Sequence, residues 1–266
     1  MTNILLLGNA NKKVVISKSL LISAIAIGIM YALRVFFSTD LYISDVGGIG
    51  AFASAVGTLY GILVVFILFE VWTEFNKTSQ FIDKEAIGLE RLFRLASYFR
   101  DNVSTKMKKA IADYIKLVIK SKFRDIAVGQ RNAEIAKSFR KIAKIIHDIK
   151  FTGTYDSIIF EQVVTHYGNL HEIRTERMNQ SLMRLPQLLK IFLYLSSLMV
   201  LLVFIITPYS NMYYGFVITG VIAFIIILVI QVIEDLDNPF QGYWTLTPEP
   251  FRRALKNIEE AYNFHR

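Results

Sequence analysis

The sequence predicts an all-α membrane protein with four transmembrane helices and a helical domain inserted between the second and third. Three observations carry this. Four apolar stretches, each about as long as a helix needs to cross the hydrocarbon of a bilayer, stand apart along the chain. Between the second and third lies a long Lys- and Arg-rich segment in which apolar residues recur at helical spacing and no strand-like alternation persists. The composition agrees: 53% hydrophobic and a mean hydropathy of +0.41 are too apolar for an ordinary soluble domain, while 20% charged is too polar for a chain lying wholly in lipid.

Taken in order, residues 1–19 are a short lead, with Lys12, Lys13 and Lys18 just before the lipid. The basic pair follows a short apolar run and no small-residue cleavage site succeeds the first span, so no cleavable signal is expected. Residues 20–72 hold the first two spans. Leu20 to Phe37 is the first, with Arg34 near its outer end, where a long side chain can snorkel. The connector carries Asp40 and Asp45 and no Lys or Arg, and Ala51 to Trp72 is the second span.

The rest of the chain is organised around the continuation of that second span. YGILVVFILFEVW passes with no Pro or Gly break before Gly88 into TEFNKTSQFIDKEAIGLERLFRLASYF. Phe75, Ile82, Leu89 and Ala96 step by heptads there, with Ala86 and Phe93 beside them, and Lys77, Asp83, Lys84, Glu90, Arg91 and Arg94 take the other faces. One helix is therefore expected to run from the bilayer into the helical domain, residues 73–185. Within that domain Met107, Ile111, Tyr114, Ile115 and Val118 form one stripe. Ile135, Phe139, Ile142, Ile146 and Ile149 form another, ended at Phe151–Gly153. A last helix is expected from Asp156 to Leu185, with Ile159, Val163, Tyr167 and Leu170 as its apolar face. From His171 to Ser181 it is polar nearly all round, as if it faced a water-filled interior. Residues 186–233 hold the third and fourth spans, Gln187 to Ile206 behind Pro186, a residue suited to a first helical position, and Tyr213 to Ile233. Residues 234–266 form a polar tail.

Lys and Arg occupy the lead, the long middle segment and the tail, and are missing from both short connectors. The positive-inside rule then places both termini and the middle segment in the cytosol of a multi-pass plasma (inner) membrane protein. It also accounts for the net charge of +8 without a nucleic-acid partner. The lipid bilayer is the expected surrounding.

Chemistry finds little support. The sequence has no cysteine, and His166 and His171, five apart, miss the spacing of a helical metal pair. With no phosphate loop, nucleophile elbow or HExxH, neither an enzyme, a metal nor a cofactor is expected. Glu70 is the notable carboxylate, near the inner end of the second span, where an ionisable group is costly unless it meets water or a partner. Counting back by fours gives Phe66, Ile62 and Thr58, a line that suits either helix packing or the lining of a pore. Arg174, Arg177 and Arg184 share one side of the last domain helix, as contacts to anionic lipid or as charges facing an ion vestibule. Glu234, Asp235 and Asp237 precede Asn238-Pro239-Phe240. This is too few oxygens for calcium, and a turn with satisfied carboxylates is expected. Trp72, Tyr243 and Trp244 suit a membrane interface.

Three patches resemble the bestrophins, most of all their prokaryotic bestrophin-like relatives: Phe66, Trp72 and Phe75 leading into KEAIGLERLFRLA; Arg174, Arg177 and Leu185-Pro186 before the third span; and the LDNPFQG turn. The order of two spans, a helical block, two spans and a returning tail agrees as well. The resemblance implies a homopentameric channel for small inorganic ions, with Thr58, Ile62 and Phe66 on a hydrophobic neck formed by five second spans. Departures accompany it. Val65 stands where a Gly usually precedes the neck Phe, the acidic run of a calcium clasp is missing, and Glu70 replaces a small polar residue. Glu70 would form a carboxylate ring, so selectivity for chloride or for a monovalent cation stays open. The alternative function is a non-conducting membrane scaffold or signalling protein on the same fold.

Overall fold

The computed structural model describes residues 9–37, 46–99, 101–123, 132–150 and 154–264. The expected helix terminator at 151–153 and the acidic connector lie outside the described residues. Those described form eight helices and no strand: α1 (Asn9–Phe37), α2 (Val46–Ala96), α3 (Asp101–Ser121), α4 (Ala133–His147), α5 (Thr154–Leu182), α6 (Gln187–Ile206), α7 (Met212–Asp237) and α8 (Glu249–Phe264). Four stretches are long and apolar enough to cross a membrane: α1, α2, the run 156–206 that includes α6, and α7. The second span continues as expected, since α2 is one helix from end to end. Pro186 is the N-cap of α6 and not its first turn, its carbonyl accepting from Leu189 N–H at 2.9 Å.

The chain divides into two compact units, 1–73 with 184–238 and 74–183 with 239–266. In the first, α1 and α7 pack antiparallel, and the sequence explains how closely. A Cβ on Gly220 would stand 2.9 Å from Ile27 Cδ1. One on Gly215 would stand 2.9 Å from Met30 Cε and 2.7 Å from the Tyr209 ring. Without a hydrophobic drive in lipid, such close backbone approach is what holds apolar helices together. Polar groups pair within the unit: Gln231 Nε2 donates to Ser19 Oγ at 2.8 Å, and the Asn211 side chain caps α7 by accepting from Tyr213 and Tyr214 N–H. Arg34 turns into the protein and does not simply snorkel, donating to the Thr207 carbonyl at 2.6 Å with its guanidinium 5.5 Å from the Tyr209 ring centre.

The second unit has the soluble-type core. Phe75, Ile82, Ala86, Leu89, Phe93 and Ala96 are all buried, so the heptad stripe of α2 is its inward face. It meets the expected stripes of α3 and α4, from Met107 to Val118 and from Phe139 to Ile149, and α5 through Ile159, Val163 and Leu170. Phe251, Ala254 and Ile258 on α8 join this core. Burying this many aliphatic side chains, at about 1.5–3 kcal/mol each, is what lets the unit hold polar groups inside. Helix α3 ends in two left-handed residues, Lys122 and Phe123, at φ 49° and 57°. Phe123 is kept there by packing: its ring is buried against Phe240 and Phe251, 5.1 and 6.2 Å between centres.

Candidate functional site

Within the first unit, α2 turns a single face to its own chain. Ile67 and Val71 are buried there, and the Tyr60 and Ser197 hydroxyls pair at 3.0 Å. At about 100° per residue, Thr58 and Ile62 lie on the diametrically opposite side, and Phe66 is displaced from them by roughly another 40°. All three are exposed, Phe66 by 70%. Of the four apolar stretches, that of α2 is the least covered by its own chain. The line is therefore not packed against other parts of its own chain. Thr58 Oγ donates to the Ser54 carbonyl at 2.8 Å, so its hydroxyl is already satisfied on its own helix. Glu70 is exposed too. It flanks the line, turned by about 120° from Thr58 after three steps of four residues.

Two of the acids after the fourth span have partners in the structure. Asp237 is buried, accepts Leu185 N–H at 2.5 Å and pairs with Lys190 Nζ at 2.5 Å. A carboxylate ending a helix opposes its dipole, and these two donors offset that. Glu234 accepts from the Tyr194 hydroxyl at 2.6 Å, and Asn238 Oδ1 from Arg184 at 3.2 Å. Burial lowers the Arg184 pKa, with Asp237 acting the other way. Among the described residues no cluster of His, Asp or Glu could hold a metal ion.

The largest departure from the sequence reading lies in the second unit. Arg174 and Arg177 face neither lipid nor a water-filled space. They are buried, as are Gln180 and Ser181, so one face of the polar end of α5 lies in the interior, while His171, Glu172, Thr175, Glu176 and Asn179 on its other faces are exposed. Arg177 Nε pairs with Glu85, whose other oxygen accepts from the Tyr114 hydroxyl, and Arg174 Nε donates to that hydroxyl at 3.1 Å. The Arg174 guanidinium lies 4.9 Å from the Phe139 ring centre, and Phe139 stacks on Tyr167 and His171. Burial, then the Glu85 carboxylate, push the Tyr114 phenol well above its ordinary range. For Arg177 burial disfavours the charged form, but Glu85 and Tyr114 outweigh it and the pKa rises. Sequence reasoning passed over Glu85. Its signal was its register, since Ile82, Glu85, Ala86 and Leu89 share one inward face of α2.

Comparison with known proteins agrees with this architecture. A family model described as the bestrophin-like domain matches residues 20–251. A structure of a bacterial bestrophin homologue from Klebsiella pneumoniae, solved by Zn-SAD phasing, is similar at 13% identity with a TM-score of 0.66, over 92% of this chain and 96% of that one. A mutant of the Klebsiella homologue gives 12% and 0.68 over 92% and 97%, and a structure described only as a mutant membrane protein gives 12% and 0.71 over 94% and 98%. No curated protein matches. At such identities the solved structures speak for the fold, whereas the family model spans most of the sequence: the chain belongs to the bestrophin-like family.

Proposed function

We propose that this chain is one subunit of a homopentameric ion channel in which five α2 helices enclose a hydrophobic neck lined by Thr58, Ile62 and Phe66, with Glu70 forming a ring at its cytosolic mouth. Catalysis is no part of this function. The observation that carries it is the bare outer face of α2, exposed from Thr58 to Glu70 where the other spans are better covered. Lipid would accept Ile62 and Phe66 but not a carboxylate, because an ionisable group in contact with hydrocarbon is costly unless it meets water or a partner. A ring of copies around a water-filled axis gives the apolar residues neighbours and the carboxylate water. The number five rests on the resemblance to bestrophins. Rings of Glu favour cations, so the channel is proposed to be cation-selective. Both termini and the unit 74–183 with 239–266 lie in the cytosol in this reading, since Lys and Arg are absent from the short connectors.

Two measurements test it. Light scattering of the detergent-solubilised protein should give five protomers per particle, and the same particles in planar bilayers should carry current. A ring without current would replace the channel with the scaffold reading, and a monomer would remove both the neck and the ring. For topology, the chain has no cysteine of its own, so single cysteines are clean probes. Those at Ser44 and Asn211 should label from outside intact cells and one at Lys108 should not. Labelling at Lys108 would invert the orientation.

A further inference from the structure

The buried stripe of α3 from Met107 to Val118 uses one side of that helix, and its other side has a pattern of its own. Thr105, Lys108, Lys109, Ala112 and Lys116 recur at helical spacing. At about 100° per residue they fall within an arc of roughly 100°, along three turns of the helix. This arc is one wall of a pocket of about 470 Å³ formed by α2, α3 and α8. The floor is apolar, because Phe93 from α2 and Ile258 from α8 reach it from the core. The rim is basic. Lys108 Nζ lies 5.3 Å from the Phe93 ring centre, and Lys109 and Lys116 are exposed beside it. Glu259 is the acid of the lining, and its pair with Lys116, at 3.8 Å and more than half exposed on both sides, is weak. Three lysines against one glutamate leave the described lining positive. Charges of this unit outside the described side chains have the same sign on balance, with Arg100, Arg124, Arg131 and Arg266 against Asp101 and Asp125.

We infer that this pocket binds a soluble organic phosphate monoester, with its phosphate among the three lysines and its apolar body on Phe93 and Ile258. Three features select the class. The volume falls in the range of about 300–1,000 Å³ usual for small-molecule sites, more than a bare inorganic ion fills. The positive lining suits a group that carries about −1.5 to −2 charges at pH 7, as a phosphate monoester does. The cations are lysines, whose rotatable ammonium groups act as point charges around a tetrahedral anion, whereas a planar carboxylate is best met by the guanidinium fork. Thr105 adds a hydroxyl to the same wall. The apolar floor then favours an organic ester over free phosphate. The pocket lies within one chain and within the helical unit, so its occupancy depends neither on a ring of copies nor on current through it.

The test is calorimetric titration of the full-length, detergent-solubilised protein with phenyl phosphate, and its first arm needs no variant. One saturable site per chain is expected, weakening as salt is added. Inorganic phosphate should bind at least about tenfold less tightly, because it leaves the floor empty. Lys109→Gln with Lys116→Gln should weaken phenyl phosphate by about tenfold or more. Both side chains are exposed, so the size-exclusion profile and thermal unfolding should match wild type. Lys137→Gln with Lys141→Gln, exposed on α4, removes the same charge elsewhere on the unit and should leave binding intact. The absence of saturable heat would overturn the inference. So would binding that survives the Lys109 and Lys116 changes, an equal loss in the α4 variant, or equal affinity for inorganic phosphate. Binding seen only in nanodiscs that contain phosphatidic acid would also overturn it, by making the ligand a membrane lipid.

Discussion

Glu70 and Glu85 stand on the same helix in opposite circumstances. Glu70 is exposed on a face of α2 that its own chain leaves bare, while Glu85 is fully buried between Arg177 and Tyr114. The difference follows from what each half of α2 packs against. The membrane half shows its chain one narrow seam through Tyr60, Ile67 and Val71, and the other half puts a whole heptad stripe into a core. A carboxylate on the first half is therefore free to act on something outside the chain. A carboxylate on the second half is committed to holding the chain together.

The strongest way to break this comparison is to truncate one partner of the buried pair. Glu85→Ala or Arg177→Ala leaves the other charge buried and unanswered, at a cost of about 3–5 kcal/mol, a large part of the roughly 5–15 kcal/mol that keeps a protein folded. Both variants should fail to yield assembled protein in size-exclusion chromatography. Glu70→Gln should be indistinguishable from wild type there, because surface substitutions stay within about 0.5 kcal/mol. Equal losses at the two positions would mean that Glu70 is also a structural residue.

A finer change in the same cluster is Tyr114→Phe, which keeps the ring against Phe139 and removes a hydroxyl serving both Glu85 and Arg174. The expected loss is about 1–3 kcal/mol at neutral pH. The pH dependence has a definite sign. The folded pKa of Tyr114 is raised by burial and by Glu85 above its ordinary value, so its stabilisation is present below about pH 10, where an unfolded tyrosine is still protonated. It is lost as pH rises beyond that. Denaturant unfolding from pH 8 to 11 should therefore show a shallower alkaline decline in Tyr114→Phe than in wild type. Parallel declines would mean that the phenol is not held protonated.

The same contrast explains how far the sequence could be read. Apolar periodicity placed the inward faces of the helical unit residue by residue, because a stripe such as Phe75, Ile82, Leu89 and Ala96 has only one physical use in water. The spans were legible from length and hydropathy, and Thr58, Ile62 and Phe66 could be placed on one side of a helix from spacing alone. Arg174 and Arg177 could not be placed, because whether a charge faces solvent or the core depends on a counter-charge elsewhere in the chain. Their partner lies on α2, distant in sequence, and no local pattern joins the two. Register offered the one local clue, charges falling on an apolar face at Glu85 and again at Arg174 and Arg177, beyond Leu170.

On the bare half of α2, the proposed neck should respond in conductance and not in stability. A hydrophobic constriction gates by dewetting, so Ile62→Ala with Phe66→Ala should widen and wet it. Both side chains are exposed in the single chain, by 51% and 70%, so the folded protomer loses little packing. Single-channel recording should show a larger unitary conductance with an unchanged particle mass. Unchanged conductance would move the constriction off this line, and the neighbouring exposed residues Val65 and Phe69 would be the next to test.

The smallest effect is expected from Glu70→Gln on ion selectivity, and helix geometry says why. Each step of four residues drifts by about 40°, so if Thr58 and Ile62 face the axis, Glu70 is turned well to one side by the time the helix reaches the mouth. Its carboxylate would then act through its field more than by coordinating an ion. The apolar neck above lengthens the reach of that field, because low-dielectric walls focus it. Against it stands a Lys- and Arg-rich helical domain, with positive potential of its own. In the proposed pentamer, five carboxylates at the pore mouth would outweigh the charges of that domain, which salt screens within about 10 Å. The wild type should therefore show a cation-side reversal potential in a salt gradient, and Glu70→Gln should move it part of the way towards zero. A chloride-side reversal in the wild type, or no movement in the variant, would take Glu70 out of the ion path and leave it as a headgroup-facing carboxylate at the end of the span.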